Sequence, residues 1–181
     1  MLLTSSNVVC RPPFVDDVLT AAQLRAISSE SAKHLDRIFP ATLPADDRKL
    51  LTYHDAYAYF SQHYGWTVIG AIQPQSFEEP SPQDIADLIR QVEDEGVKAV
   101  FGSEVFPSPV LEQIGDEAGV RYVDVLRDDD LTGEPGDPEH SWAGLMKFNF
   151  ITMIEALGGD ATSLKALDVT LSIPDRAYYP Q

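Results

Sequence analysis

Three residues of this chain have the right type and setting to do chemistry, and each interrupts or ends an apolar run. His54, in "KLLTYHDAYAYF", closes such a run with an imidazole, a group that carries protons near neutral pH and ligates metals. Asp124 stands inside "YVDVL", where a carboxylate is costly unless it is paired or coordinated. Glu104, in "FGSEVF", is a third polar group expected at the end of a strand, as a support that orients the others or caps the helix starting near Ser108.

Each has a plainer reading beside the chemical one. His54 is either a ligand in a cluster of loops or a histidine bonded to a loop carbonyl. Asp124 is either a ligand or the partner of Arg121 or Arg127 in a salt bridge. Asp55 is expected to serve structure, as the N-cap of the helix ahead of "AYAYF". His34 and His63 fall on helical stretches and are expected at the surface, while His140, beside the acidic loop "RDDDLTGEPGDPEHS", is a minor candidate for a surface metal site. The chain has one cysteine, Cys10, and so no internal disulfide. It contains no phosphate-binding glycine loop, no G-x-S-x-G elbow and no H-E-x-x-H.

These side chains must be held by strands. "KLLTYH", "TVIGAI", "KAVFGSEV" and "RYVDVL" are short, nearly continuous apolar runs, as in parallel strands covered on both faces. Helix signals alternate with them. In "PSPQDIADLIRQVEDEG" Ser81 is the expected N-cap, Pro82 the first helical residue and Gly96 the stop; Ser108, Pro109 and Gly119 repeat that grammar in the next unit. "HSWAGLMKFNFITMIEALGG" places Trp142, Leu145, Met146, Asn149, Phe150, Met153, Ile154 and Leu157 on one face, with Gly158 at its end. The pattern predicts an α/β fold, a four-stranded parallel sheet with helices on both faces, of Rossmann or flavodoxin type. Ligands in such sheets gather at the carboxyl ends of the strands, where His54, Glu104 and Asp124 fall. Helical spacing at Phe14, Val18, Ile27, Leu35 and Ile38 predicts one long or two short helices before the sheet, and alternation at Leu167, Val169, Leu171 and Ile173 predicts an edge strand or a packing tail after it. The chain thus divides into an N-terminal helical segment (1–47), the α/β unit (48–159) and a C-terminal extension (160–181).

Composition narrows the partners. The chain has 181 residues, 44% of them hydrophobic, enough for one domain with a core of its own. Thirteen basic against 29 acidic residues give a formal charge of −16, which repels nucleic acid and anionic lipid and draws cations. No run approaches the roughly 18 apolar residues of a membrane span, and "MLLTSSNVV" has neither the basic start nor the apolar stretch of a signal peptide.

The order of the pieces resembles a known family. "KLLTYHDAYAYFSQHYGW", "FEEPSPQDIADLIRQVEDEGVKAVFGSEVF", "YVDVL" and "HSWAGLMKFNFITMIEAL", about residues 33 to 159, are together similar to the carboxyl-terminal lobe of the metal-binding receptors of zinc and manganese ABC importers. The resemblance implies one lobe of a two-lobed extracytoplasmic binding protein, a transport receptor and not an enzyme, whose cargo is Zn2+ or Mn2+. In that family the ion lies between the lobes on four protein ligands. The resemblance carries two of them onto His54, at a position where the family has His or Glu, and Asp124. The other two, usually histidines, belong to an amino-terminal lobe with no counterpart in this sequence, nor has its Asp-Pro-His motif. The implied partners are the ion, a membrane permease, and an amino-terminal lobe or a second copy to complete the ligand set. Competing readings are a small metal-dependent enzyme of flavodoxin-like architecture, using the same two residues, and a protein-interaction module.

Overall fold

The computed structural model of the chain describes residues 42–55, 57–73, 80–103, 108–127 and 130–170, together with Lys33, Arg37 and Phe39. The expected helices over residues 14–38, the residues Cys10, His34 and Glu104, and the tail positions Leu171 and Ile173 lie outside the described residues.

Four strands form one sheet: β1 (Lys49–His54), β2 (Thr67–Gln73), β3 (Ala99–Ser103) and β4 (Arg121–Leu126). All pairings are parallel, in the order β2-β1-β3-β4. Every residue of β3 is buried, and in β1 Leu50 and Leu51 are both fully buried although they face opposite ways, Leu50 into one apolar cluster and Leu51 into the other. Covering on both faces is why these runs read as continuous apolar stretches rather than alternating ones. The chain leaves β1 in one direction to form β2 and in the other to form β3, which puts the switch in strand order between β1 and β3.

The helices start and stop where their sequence signals stand. Helix α1 (Ala58–Tyr64) ends at Gly65 with φ +68°. In α2 (Pro82–Asp94) the Ser81 hydroxyl accepts from Asp84 N–H while the Asp84 carboxylate accepts from Ser81 N–H, a reciprocal capping box. In α3 (Pro109–Ala118) Ser108 Oγ accepts from Leu111 N–H, and Gly119 takes the left-handed C-cap at φ +67°. Helix α4 (Trp142–Ala156) is capped by Ser141, whose hydroxyl accepts from Gly144 N–H, and a short α5 (Thr162–Lys165) follows. Among the described residues no helix is long and apolar enough to cross a membrane.

The sheet separates two apolar clusters. On one face Leu51, Ile72 and Val100 pack on Val92 of α2 and on Leu111 and Ile114 of α3. On the other, Leu50, Phe101 and Val123 meet Phe150, Met153 and Ile154 of α4, Leu164 of α5, and the rings of Tyr57, Phe60 and Tyr64 at α1. Phe39 and Leu43, which precede β1, are buried in this second cluster. The expected edge strand is not formed over 166–170: Leu167 packs against the same cluster, and Lys147 Nζ donates to the carbonyls of Lys165 and Leu167, holding the chain along α4 without strand pairing.

Candidate functional site

His54 is the last residue of β1, pairing in register with Gln73 of β2, and it lies at the β1/β3 switch. The strand end is held by Thr52, whose hydroxyl donates to His54 O at 2.8 Å, while the Tyr53 ring stands edge-on to the imidazole with centroids 4.6 Å apart. His54 is half-buried and lines a cavity of about 10 Å3 with Tyr57, Gly102, Ser103 and Leu126, about the space of a single water. The side chain thus borders the crevice where open parallel sheets bind ligands.

Asp124 lies in the carboxyl-terminal half of β4, on the far side of β3 from His54. Between Phe101↔Val123 and Ser103↔Leu126 the β3 strand advances two residues and β4 advances three. The extra residue is a β-bulge, and it turns both Asp124 and Val125 to solvent between the buried Val123 and Leu126. A carboxylate within an apolar strand was expected to need a partner. The bulge removes that need by exposing it, and among the described residues Asp124 makes no salt bridge. Of the two suggested partners, Arg121 and Arg127, the second instead pairs with Asp130 at 3.2 Å and donates to Leu131 O.

Two residues that sequence reasoning passed over grip the strand on either side of the bulge. The Tyr122 hydroxyl accepts a hydrogen bond from Ser108 N–H at 3.0 Å and lies over Gly102, where an added Cβ would come within 3.1 Å of it. Burial pushes the Tyr122 phenol pKa up against the lowering effect of the Ser108 hydrogen bond, and the charges of Asp124 and Glu112 push it further. Asn149, buried in α4, accepts from Arg127 N–H at 3.0 Å and donates to Arg127 O at 2.6 Å. A lone amide in the apolar run "KFNFITMI" was the available signal for Asn149; nothing in the sequence marks Tyr122.

Other expectations are corrected. Asp55 does not cap α1: the helix starts three residues later, its N-cap is Tyr57 without a side-chain hydrogen bond, and Asp55 is exposed in the turn leaving β1. His140 is no surface ligand, being buried with Nδ1 3.2 Å from the carbonyls of Thr132 and Gly133, where it fastens the acidic loop to the start of α4. His63 is exposed on α1 as expected. Glu104 follows the last residue of β3 in the chain, and its supporting role stays an expectation. His54 and Asp124 come from strands separated by β3, and among the described residues no three His, Cys, Asp or Glu side chains converge on one point.

Comparison with known proteins fits this arrangement. The model of the family described as zinc-uptake complex component A, periplasmic, matches residues 20–156. The chain is 30% identical over 120 residues to the zinc-binding protein TroA of Treponema pallidum, a match covering 64% of this chain and 39% of that protein. It is 29% identical over 121 residues to the manganese-binding lipoprotein MntA of Bacillus subtilis, covering 65% and 40%. The solved structure of the Treponema protein superimposes with a TM-score of 0.62 at 26% identity, over 76% of this chain and 50% of that one. A Mn-bound periplasmic metal binding protein from Candidatus Liberibacter asiaticus shares the fold, with a TM-score of 0.61 at 19% identity over 75% of this chain and 50% of that one. The match spans about two-fifths of the length of these curated relatives.

Proposed function

This chain belongs to the family of the periplasmic zinc-uptake complex component A, and from that premise we propose that it forms the carboxyl-terminal, metal-binding lobe of an extracytoplasmic receptor that hands Zn2+ or Mn2+ to an ABC permease. His54 and Asp124 supply two of the ion's ligands. The observation that supports this reading is that one parallel sheet carries an imidazole at the carboxyl end of β1, beside the β1/β3 switch, and a solvent-exposed carboxylate in the carboxyl-terminal half of β4, at its bulge. Glu104, next to that edge in sequence, supports them.

Two ligands are half of a closed tetrahedral zinc shell, and a carrier needs the shell closed, whereas a zinc enzyme keeps a position open for water. The remaining donors come from a second lobe, or from a second copy of the chain. Tyr59 near the start of α1, Val125 in the bulge and Trp142 at the start of α4 favour a covering partner there: they are the large hydrophobic side chains exposed among the described residues, and all lie towards the carboxyl end of the sheet. The formal charge of −16 raises the local concentration of cations. The lobe acts as a receptor and not as an enzyme.

Calorimetric titration of the full chain with Zn2+ and with Mn2+ tests the reading, alone and joined to the amino-terminal lobe of a relative. Binding is expected to be weak alone and much tighter when joined, and to be lost in His54→Ala and in Asp124→Ala. Wild-type affinity in both variants would overturn it.

A further inference from the structure

We propose that Tyr122 and Asn149 are positioning residues for Asp124, pinning the two ends of the bulged part of β4 and so aiming its carboxylate at the ligand edge. The inference rests on the reading of Asp124 as a ligand and goes beyond it, because neither residue touches the ion.

A bulge interrupts the ladder that fixes a strand, so the extra residue is oriented by whatever holds the strand on either side. Here both sides are held by side chains from other elements. Two residues before Asp124, the Tyr122 hydroxyl takes the N–H of Ser108, the residue that caps α3. Three residues after it, Asn149 of α4 occupies both the N–H and the C=O of Arg127. The two pins come from opposite faces of the sheet, since Tyr122 packs with the α2/α3 cluster and α4 covers the other face. Twisting the segment in either direction therefore breaks one of them.

Gly102 completes the arrangement. It lies beside the bulge on β3, where an added Cβ would stand 3.1 Å from the Tyr122 hydroxyl and 3.5 Å from Asp124 Cα. A methyl group there crowds the Tyr122 ring tip, which must give way to admit it and so disturbs the hydrogen bond with Ser108, while the backbone of β4 stays at ordinary contact distance. The buried amide of Asn149 has no packing advantage over leucine in an apolar helix, and its two hydrogen bonds to one peptide unit are the physical reason for an amide at that place.

The test uses the full chain, with Co2+ as a spectroscopic stand-in for Zn2+, and compares wild type with Tyr122→Phe, Gly102→Ala and Asn149→Asp. Leu164→Ala, in α5 and remote from β4, is the control for lost stability. Tyr122→Phe removes one oxygen and Gly102→Ala adds one methyl group, so these two keep the test open should Asn149→Asp fail to fold. Residues that orient a ligand typically cost 10–100-fold in metal affinity when changed. Co2+ affinity is expected to fall about tenfold in Tyr122→Phe and in Gly102→Ala, with a weaker ligand-field band and faster amide exchange at Asp124 and Val125. Leu164→Ala should lower the melting temperature and leave the Co2+ spectrum as in wild type. Unchanged exchange and affinity in Tyr122→Phe would overturn the proposal. Failure of wild type to bind Co2+ both alone and joined to the amino-terminal lobe of a relative would overturn the ligand reading instead, and amide exchange alone then decides whether the pins hold the bulge.

Discussion

Phe39 stacks on Phe150 of α4 with ring centroids 4.0 Å apart and planes 16° from parallel, and Trp66 stacks on Phe39 in turn at 5.5 Å. A residue ten positions before the first strand's Lys49 is thus part of the core, at 1% exposure. Phe39→Ala should cost about 3–5 kcal/mol, the range for a large aromatic deleted from a core. Urea unfolding would show this as a lower midpoint at unchanged slope; an unchanged midpoint would mean that this ring contributes nothing to the core.

Asp124 competes for attention with a more conspicuous run of acids, Asp128, Asp129 and Asp130. Asp130 is engaged by Arg127, whereas Asp124 is exposed at the bulge. In a two-lobe protein Asp124→Ala should lower zinc affinity by at least about tenfold. Changing the three loop acids to Asn should leave it within twofold or so, and the opposite ranking by calorimetry would refute the ligand assignment.

His54→Glu exchanges a borderline nitrogen donor for hard oxygen, and oxygen favours manganese relative to zinc. The carboxylate can also bind through both oxygens and raise the coordination number above the four of closed zinc sites. Competition titrations in the two-lobe protein should therefore move the affinity ratio towards Mn2+, and a ratio equal to wild type would show that His54 does not touch the ion.

The capping box of α2 carries a pH signature. Hydrogen bonds to Asp84 from the Ser81 side chain first, and from its backbone N–H second, hold the Asp84 carboxyl below the ordinary carboxylate value. A pKa depressed in the folded state adds stability that is present above the unfolded value, near 4, and is lost as pH falls through the folded one. The stability gap between wild type and Ser81→Ala should stay constant above about pH 5 and narrow at lower pH. Denaturant unfolding measured over that range would show it, and a gap independent of pH would remove Asp84 from the box.

How legible each element was depended on whether its cause is local. Ser81-Pro82 and Ser108-Pro109 start helices, and Gly96, Gly119 and Gly158 follow their ends with positive φ, because capping is decided within a few residues. Asp55 misled because a good capping residue stood directly after the strand, while the turn out of β1 needs the chain to run on to Tyr57 before α1 can begin. The exposure of Asp124 was invisible, since a bulge depends on the register against β3, and the sequence of β4 by itself reads as a regular strand. His140 looked like a loop residue near acids, but its burial is set by the fold of residues 132–141 back onto α4. Leu167 and Val169 alternate as a strand would, yet the interaction that holds this stretch is Lys147 reaching the carbonyls of Lys165 and Leu167, which no periodicity encodes.

The amide of Asp160, just past α4, donates to the carbonyl of Thr42, just ahead of β1, and a Cβ on the neighbouring Gly159 would stand 2.6 Å from the same oxygen. The described chain therefore closes on itself almost end to end. Its strands are all parallel, so no pair of them can form as a hairpin, and each pairing must wait for an intervening helix to be spanned. Contacts between distant parts of a chain are entropically dear before the intervening structure exists. The Thr42–Asp160 closure, with the docking of Phe39 beside α4, joins the most widely separated parts of the described chain, and it does so at the amino end of the sheet, away from the end that carries His54.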